Sequence, residues 1–96
     1  MPAYIIVETD IHDPEQYERY KNATPGVVAA GGGRFIARGG EVAVLEGDWH
    51  PKRLVVLEFE DLEAAKRFYS SPEYEEAKRL REGAANLNMV AVQGLD

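Results

Sequence analysis

The sequence predicts an α+β fold in which an antiparallel sheet carries helices on one face, in the order β-α-β-β-α-β. Three observations predict it. Residues 53–60 form an apolar run between Pro51 and Asp61, which is typical of a central strand that leads into a helix. Similar β-rich stretches lie near both ends of the chain, at residues 4–9 and 88–93. Two stretches with helical spacing separate these strands, and each begins with a capping signal.

The first strand and helix follow from local signals. Residues 4–9 are apolar on both faces, which indicates a buried strand. Asp13 is a helix cap, because it precedes Pro14 at the first helical position and Gln16 in a capping-box pattern. Pro25 lacks an N–H, so we expect it to interrupt this helix.

After this interruption, Thr24 is placed to cap a second short helix, which the glycines at positions 31–33 would end. Residues 34–38 and 41–46 are both β-like, and Gly39-Gly40 stands between them. Such a pair of glycines is typical of a hairpin turn or of a bend within one strand. The sheet has room for one further strand before residues 53–60, so the topology favours a single bent strand over residues 34–47.

The second helical region divides in two. Asp61 caps the first part, and Ser71 followed by Pro72 restarts the helix, which Gly83 ends. Residues 88–93 then form the last strand. The whole order is that of a ferredoxin-like fold, with residues 1–96 as a single domain.

Composition excludes several classes of function. The formal net charge is −6, so the chain has no basic field for nucleic acid or anionic lipid. No cysteine is present, which removes disulfides and thiolate chemistry. No run approaches the roughly 20 apolar residues of a membrane span, so we expect a soluble cytoplasmic protein.

Both faces of the predicted sheet are apolar. In the central strand Val55 and Leu57 point one way and Leu54 and Val56 point the other. The helices cover only one face, and a monomer rarely leaves such an apolar patch exposed. We therefore expect a homodimer that packs through the open sheet face.

The chain resembles a bacterial family known as domain of unknown function 1330 (DUF1330). Six stretches carry the resemblance: Asp13-Pro-Glu-Gln-Tyr17, Gly32-Gly-Arg-Phe35, Arg38-Gly-Gly40, Glu46-Gly-Asp-Trp49, Arg53-Leu-Val-Val56 and Phe68-Tyr-Ser-Ser-Pro-Glu-Tyr74. The resemblance implies the dimeric α/β-barrel superfamily, and it implies no particular reaction. Relatives in that superfamily include cofactor-independent monooxygenases, haem-degrading enzymes and lactone isomerases, which typically hold ligands between helices and sheet. A shared fold does not by itself assign a function, because function depends on the residues of the site.

Two arginines are candidates for ligand binding. Arg38 and Arg53 lie at the ends of predicted strands, and a guanidinium holds a carboxylate or an enolate well. The structural alternative is that they pair with Glu46, Asp48 or Glu58.

The remaining candidates are aromatic residues and a histidine. His50 has the chemistry of a base near neutral pH, although a histidine in a turn is commonly just solvated. Trp49 either stacks on a ligand or closes the end of the core. Tyrosines on the predicted helices serve packing or orient a ligand in an apolar cleft, and these are Tyr17, Tyr20, Tyr69 and Tyr74. The sequence shows no metal-ligand spacing and no phosphate loop, so we expect neither a metal nor a cofactor.

Two hypotheses of function stay open from the sequence. In the first, the homodimer binds a small anionic or aromatic molecule in a cleft between helices and sheet, and acts either as a binding protein or as a cofactor-independent enzyme. In the second, it is a non-catalytic structural or interaction module whose own side chains fill that cleft. The sequence names neither a substrate nor a reaction.

Overall fold

The structure, a computed structural model, describes residues 1–95. Its elements in chain order are β1 (Ala3–Ile11), α1 (Pro14–Ala30), β2 (Arg34–Arg38), β3 (Leu54–Phe59), α2 (Leu62–Ser70), α3 (Pro72–Arg79) and β4 (Ala85–Gln93). The strands form one sheet in the order β2-β3-β1-β4, and every neighbouring pair is antiparallel. The ferredoxin-like α+β architecture predicted from the sequence is confirmed.

The alternation of the strands is also confirmed. Ile5 and Val7 of β1 face the helices and are buried, as are Val55, Leu57 and Phe59 of β3. Residues between them, on the other face of the sheet, are only half-buried. A period of two therefore places one apolar set in the core and leaves the second set on an uncovered face.

The predicted helix caps are present. The Asp13 carboxylate accepts a hydrogen bond from Gln16 N at 3.1 Å, and Asp61 accepts one from Ala64 N at 2.8 Å. Ser71 Oγ accepts from Tyr74 N at 3.1 Å, so α2 and α3 are separate helices as expected. These bonds satisfy N–H groups that a helix start would otherwise leave free.

The expected break in the first helix is wrong, because α1 continues through Pro25. A proline in a helix leaves the carbonyl four residues earlier without its usual donor, and here that carbonyl belongs to Lys21. Two side chains donate to Lys21 O instead, Arg38 Nη2 from β2 at 2.6 Å and Thr24 Oγ1 from within the helix at 3.2 Å. The helix therefore passes through the proline with the carbonyl satisfied by side-chain donors.

The expected bent strand over residues 34–47 is also wrong. The strand β2 ends at Arg38, and residues 39–53 have no helix or strand. Gly39 turns the chain with a φ of +71°, and its N–H makes a last bond to Leu54 O at 2.9 Å. The partner strand β3 begins only at Leu54, so residues beyond Gly39 have no strand beside them.

Two element ends differ from the expectation. The last strand begins at Ala85 rather than at residue 88, because it pairs along the full length of β1 from Ala85 opposite Ile11. The third helix ends at Arg79, and a turn through Gly83 follows it. Within the described residues, no helix has the length and apolar character that crossing a membrane requires.

Candidate functional site

A narrow cleft lies between the helices and the covered face of the sheet. Its apolar walls include Val7, Val55, Leu57 and Met89, and its polar lining consists of Thr9, Tyr17, Tyr20, Lys21, Thr24, Arg38, Arg53 and Tyr74. The free volume is about 40 Å³. Such a space holds only a few water molecules, since each needs at least about 10–15 Å³ on this measure. The cleft is therefore a small polar opening at the edge of the core.

Arg53 lies just before β3 and is half-buried. Its guanidinium carbon lies 5.8 Å from the centre of the Tyr17 ring, within the range of a cation–π contact. Gly39 approaches it closely, since a Cβ at that position would lie 3.0 Å from Arg53 Nε. Within residues 1–95, its side chain makes no described hydrogen bond and has no carboxylate at ion-pair distance.

Arg38 occupies the end of β2 and is tied to α1. Besides its bond to Lys21 O, Nη2 lies 3.2 Å from Thr24 Oγ1, and the guanidinium stands 4.5 Å from the centre of the Phe35 ring. A guanidinium has five N–H donors, so several are left for another partner. The described part of the chain brings no carboxylate within ion-pair distance of Arg38 either.

The structural alternative for the two arginines, pairing with Glu46, Asp48 or Glu58, is therefore wrong for the described residues. Glu58 lies on the open face, where it pairs with Arg34 at 2.6 Å. Glu46 and Asp48 are exposed in the segment 39–53. The cleft mouth carries two guanidinium groups that the described part of the protein does not neutralise.

Tyrosine hydroxyl groups form the polar interior of the cleft. Tyr20 and Tyr74 are joined by a hydrogen bond of 2.8 Å between their hydroxyl oxygens, and the Tyr17 ring lies 5.2 Å from the Tyr20 ring. Arg81 Nη2 lies 3.4 Å from the Tyr74 hydroxyl. Burial raises the pKa of Tyr20 well above its ordinary value, and the neighbouring Tyr74 raises it further. The Tyr20 hydroxyl therefore resists ionisation even more than an exposed tyrosine does.

Thr9 contributes an unpaired hydroxyl. It stands on the covered face of β1, is 1% exposed, and lines the cleft. Its Oγ1 has no hydrogen-bond partner within residues 1–95. A buried hydroxyl without a partner is unfavourable by about 1–3 kcal/mol, so it suits a site that water or a ligand completes.

The structure brings together five of the eight residues proposed as ligand contacts: Arg38, Arg53, Tyr17, Tyr20 and Tyr74. The other three, Trp49, His50 and Tyr69, lie outside the cleft. Trp49 is 60% exposed and donates to Glu8 on the open face at 3.0 Å, so it does not close the core. His50 is exposed beside it. Tyr69 is 40% exposed and contacts Lys78.

Sequence reasoning did not single out Thr9, Met89 or Arg81. Thr9 continues the alternation of Ile5 and Val7 in β1, and this signal could have placed it on the covered face. The contact of Arg81 with Tyr74 depends on the turn after α3, which no local pattern reveals. No group of three or more metal-binding side chains occurs among the described residues.

Comparisons with known proteins agree with this architecture. The sequence profile of a family described as "Domain of unknown function (DUF1330)" matches residues 2–95. Among curated proteins, none is significantly similar to this chain.

Similar solved structures include a protein of unknown function from Rhodopseudomonas palustris, with 21% identity, a TM-score of 0.75, and 99% of this chain and 83% of that chain covered. A dimeric ferredoxin-like protein of unknown function from Thermobifida fusca is 17% identical, with a TM-score of 0.69 and coverage of 98% and 92%. SnoaB, a cofactor-independent oxygenase from Streptomyces nogalater, is 12% identical, with a TM-score of 0.65 and coverage of 99% and 94%. At such identities these likenesses show the fold alone.

Proposed function

We propose that this chain, which belongs to the DUF1330 family, binds a small organic anion with an apolar or aromatic body in the cleft between helices and sheet. The observation that carries the proposal is Arg53. The residue is half-buried, its guanidinium lies against the Tyr17 ring, and it has no carboxylate partner within residues 1–95. A cation that is partly removed from water and left unpaired is unfavourable, and a bound anion would offset this.

The charge distribution supports an anionic ligand. The chain has a formal net charge of −6, yet Arg38, Arg53 and Lys21 all line one cleft. Only Lys21 has a described acidic partner, Glu18, at 3.6 Å. Hydrogen bonds to charged groups contribute about 1.5–3 kcal/mol each, so one anionic oxygen between two guanidinium groups would dominate the binding free energy.

The walls of the cleft suit an apolar body. Apart from the polar groups, the lining consists of aliphatic and aromatic side chains, the usual composition of a small-molecule site. An aromatic ring exceeds the present free volume of about 40 Å³, so binding requires side chains to move. Met89 is only half-buried and unbranched, so it is the side chain best suited to change conformation and make room for a ligand.

The proposal is tested with 4-nitrophenolate as an aromatic anion and 4-nitroanisole as a neutral compound with a similar ring. We expect the protein to bind the anion at least about tenfold more tightly, since one charge-assisted hydrogen bond contributes about 1.5 kcal/mol or more. The double variant Arg38→Gln/Arg53→Gln should lose this preference. Arg34→Gln is the matched control, because Arg34 lies on the open face and pairs with Glu58.

Binding is measured by absorbance titration and calorimetry, and folding of each variant is checked by circular dichroism. Equal affinity of the double variant and the unaltered protein for 4-nitrophenolate would refute the assignment of the arginines. Loss of binding in Arg34→Gln would indicate that the anion occupies the open face instead of the cleft.

A cofactor-independent enzyme is the more specific form of this proposal. Its support is the likeness of the fold to SnoaB, which is described as a cofactor-independent oxygenase, and to a putative antibiotic biosynthesis monooxygenase from Nitrosomonas europaea. Both likenesses lie at or below 15% identity and carry no residue-level argument. The proposal therefore rests on the cleft and names no reaction.

The small free volume favours a second candidate function, a non-catalytic structural or interaction module whose own side chains fill the cleft. Native mass spectrometry of gently purified protein separates the two candidates. A bound small molecule supports the binding protein. Protein without an adduct that also fails to bind 4-nitrophenolate supports the module.

We also propose that the chain forms a homodimer through the open sheet face. Tyr4, Ile6, Leu54 and Val56 lie half-buried on that face, and Val90 beside them is 61% exposed. A contiguous apolar surface of this kind is typical of an interface. Proteins of similar fold from Thermobifida fusca, Jannaschia and Bacteroides fragilis are described as dimeric, which agrees with the proposal.

A further inference from the structure

We infer that Tyr20 is the hydrogen-bond donor that selects the ligand's oxygen, and that Arg81 and Tyr74 orient its hydroxyl for this task. The inference rests on the proposed binding of an organic anion in the cleft and adds the class of group recognised there. That group is an anionic oxygen, such as a phenolate, enolate or carboxylate oxygen. Arg81 lies outside the cleft lining, so it acts through Tyr74 as a positioning residue.

Three polar side chains, starting with Arg81, form a series of hydrogen bonds. Arg81 Nη2 lies 3.4 Å from the Tyr74 hydroxyl, a long hydrogen bond, and the Tyr74 hydroxyl lies 2.8 Å from that of Tyr20. The guanidinium carbon of Arg81 also stands 5.4 Å from the centre of the Tyr20 ring. This series of hydrogen bonds joins the turn after α3 to the middle of α1.

The number of hydrogens on each group indicates which group donates in each of these hydrogen bonds. An arginine only donates, so the Tyr74 oxygen accepts from Arg81. The Tyr74 hydrogen then needs an acceptor, and within the described residues the hydroxyl of Tyr20 is the one in reach. Both hydroxyl groups line the cleft, but Tyr20 is 8% exposed and Tyr74 only 1%, so Tyr20 has the better access to water or a ligand. We therefore assign Tyr74 as the donor to Tyr20.

The hydroxyl hydrogen of Tyr20 is then free to be donated to a water or ligand in the cleft. Tyr20 is 8% exposed and lines the cleft, where water or a ligand can accept this hydrogen. A tyrosine hydroxyl carries its hydrogen at neutral pH, and burial, which raises the pKa of Tyr20, makes it harder still to remove. The cleft then presents donors from Arg53, Arg38 and Tyr20. A ligand oxygen that carries its own hydrogen would lose at least one of these bonds.

The nearby Thr9 hydroxyl supports a site that a ligand completes. It lines the same cleft, is almost fully buried, and has no partner in residues 1–95. A packed core would be expected to pair this hydroxyl or to carry a valine there. Two hydroxyl groups with unused hydrogen-bonding capacity thus line one small space.

The test titrates 4-nitrophenolate into the unaltered protein and into the variants Tyr20→Phe and Tyr74→Phe. Two quantities are read: the affinity, and the absorption band of the bound phenolate, which lies at shorter wavelength when its oxygen accepts a hydrogen bond than when it does not. We expect Tyr20→Phe to weaken binding by roughly 10- to 100-fold, the range for a hydrogen bond to a charged group, and to move the band of the bound phenolate to longer wavelength. Affinity for 4-nitroanisole should change less than about twofold.

In Tyr74→Phe the band of the bound phenolate should stay where it lies in the unaltered protein, since Tyr20 still carries its hydrogen, while the affinity falls by about threefold because the hydroxyl is no longer oriented. Loss of binding in Tyr74→Phe, or a move of its bound band to longer wavelength with Tyr20→Phe unchanged, would assign the donor role to Tyr74 and overturn the inference. If Tyr20→Phe does not fold, proton NMR of the unaltered protein replaces it. A strongly downfield phenol proton that appears with 4-nitrophenolate and not with 4-nitroanisole supports the inference, and its absence overturns it.

The outcomes also separate this inference from the proposed function. Unchanged affinity and band position in Tyr20→Phe, together with loss of binding in Arg53→Gln, would overturn the inference and leave the proposed function intact. Failure of the unaltered protein to bind 4-nitrophenolate would overturn both.

Discussion

Arg38 and Arg53 have the same chemistry and similar places in the sequence, at the two ends of the segment between β2 and β3, but they have different tasks. Arg38 uses one nitrogen as the shorter of two side-chain donors to the Lys21 carbonyl, to which Pro25 cannot donate. Arg53 makes no described side-chain hydrogen bond within residues 1–95 and lies against Tyr17. Replacement of Arg38 should therefore affect both stability and binding, whereas replacement of Arg53 should affect mainly binding.

The pH dependence of stability is a prediction for a single residue. The pKa of Tyr20 is raised in the folded protein, so above pH 10, its ordinary value, the unfolded chain loses this proton while the folded protein keeps it. The unfolded state then binds fewer protons, and stability falls as pH rises, by about 1.4 kcal/mol per pH unit for one such group. Tyr20→Phe should have a flatter alkaline slope, although at pH 7 it loses about 1 kcal/mol with the hydrogen bond to Tyr74.

Urea denaturation of both proteins at several pH values between neutral and alkaline measures this difference. The other tyrosines and the lysines are present in both proteins. The difference between the two slopes of unfolding free energy against pH therefore reports the contribution of Tyr20. Parallel slopes would show that Tyr20 ionises equally in the folded and unfolded states.

At the scale of elements, α1 shows how a tertiary contact overrides a local signal. A proline within a helix is unfavourable by about 3 kcal/mol, partly because a carbonyl loses its donor. In this protein Arg38 donates to that carbonyl from β2 at 2.6 Å, and Thr24 Oγ1 donates to it at 3.2 Å. The helix can therefore continue to Ala30, and it places Thr24 and Val28 over the sheet as well as Tyr17 and Tyr20.

This coupling predicts a non-additive effect of two substitutions. In the unaltered protein, Arg38→Ala should cost about 1–3 kcal/mol, because it removes the charged donor to the Lys21 carbonyl and leaves only the longer bond from Thr24 Oγ1. In a Pro25→Ala background the new N–H of residue 25 satisfies that carbonyl, so Arg38→Ala should cost about 1 kcal/mol less. Urea denaturation of the four proteins of the cycle measures the difference.

Arg34→Ala in the same two backgrounds is the control. Arg34 pairs with Glu58 on the open face, so its cost should not depend on residue 25. An equal cost of Arg38→Ala with proline and with alanine at position 25 would contradict the proposed role of Arg38.

At the scale of the whole molecule, the sheet has two apolar faces and helices for only one. The segment 39–53 touches one end of the open face, where Trp49 and Lys52 bond to Glu8 and Asp10. It leaves the middle of that face uncovered, around Val56, which stands opposite Ile6. A second copy of the same sheet is the partner that we propose for it.

The dimer proposal predicts the effect of a charge at the centre of this face. Val56→Glu should convert a dimer to a monomer at micromolar concentration, because a dimer would bury the carboxylate without a partner. The fold should survive, since Val56 points away from the core. Size-exclusion chromatography with light scattering measures the mass. Asn22→Glu, which adds the same charge on an exposed part of α1, should stay dimeric. A monomeric unaltered protein would refute the dimer itself.

The sequence alone determined the order of the elements, the helix caps at Asp13, Asp61 and Ser71, and which strand residues share a face of the sheet. These features depend on residues within a few positions of one another, through capping bonds and a period of two. It also proposed five residues that do line the cleft, because helical spacing and strand ends place tyrosines and arginines over the sheet.

Only the tertiary structure decided the rest. Three contacts join groups that are far apart in the sequence. Arg38 and Lys21 are 17 positions apart, Trp49 and Glu8 are 41 apart, and Tyr20 and Tyr74 are 54 apart. Such pairs leave no periodic pattern. Whether Arg53 is paired, whether Thr9 Oγ1 has a partner, and where a strand ends all depend on which neighbour the folded chain places beside each group.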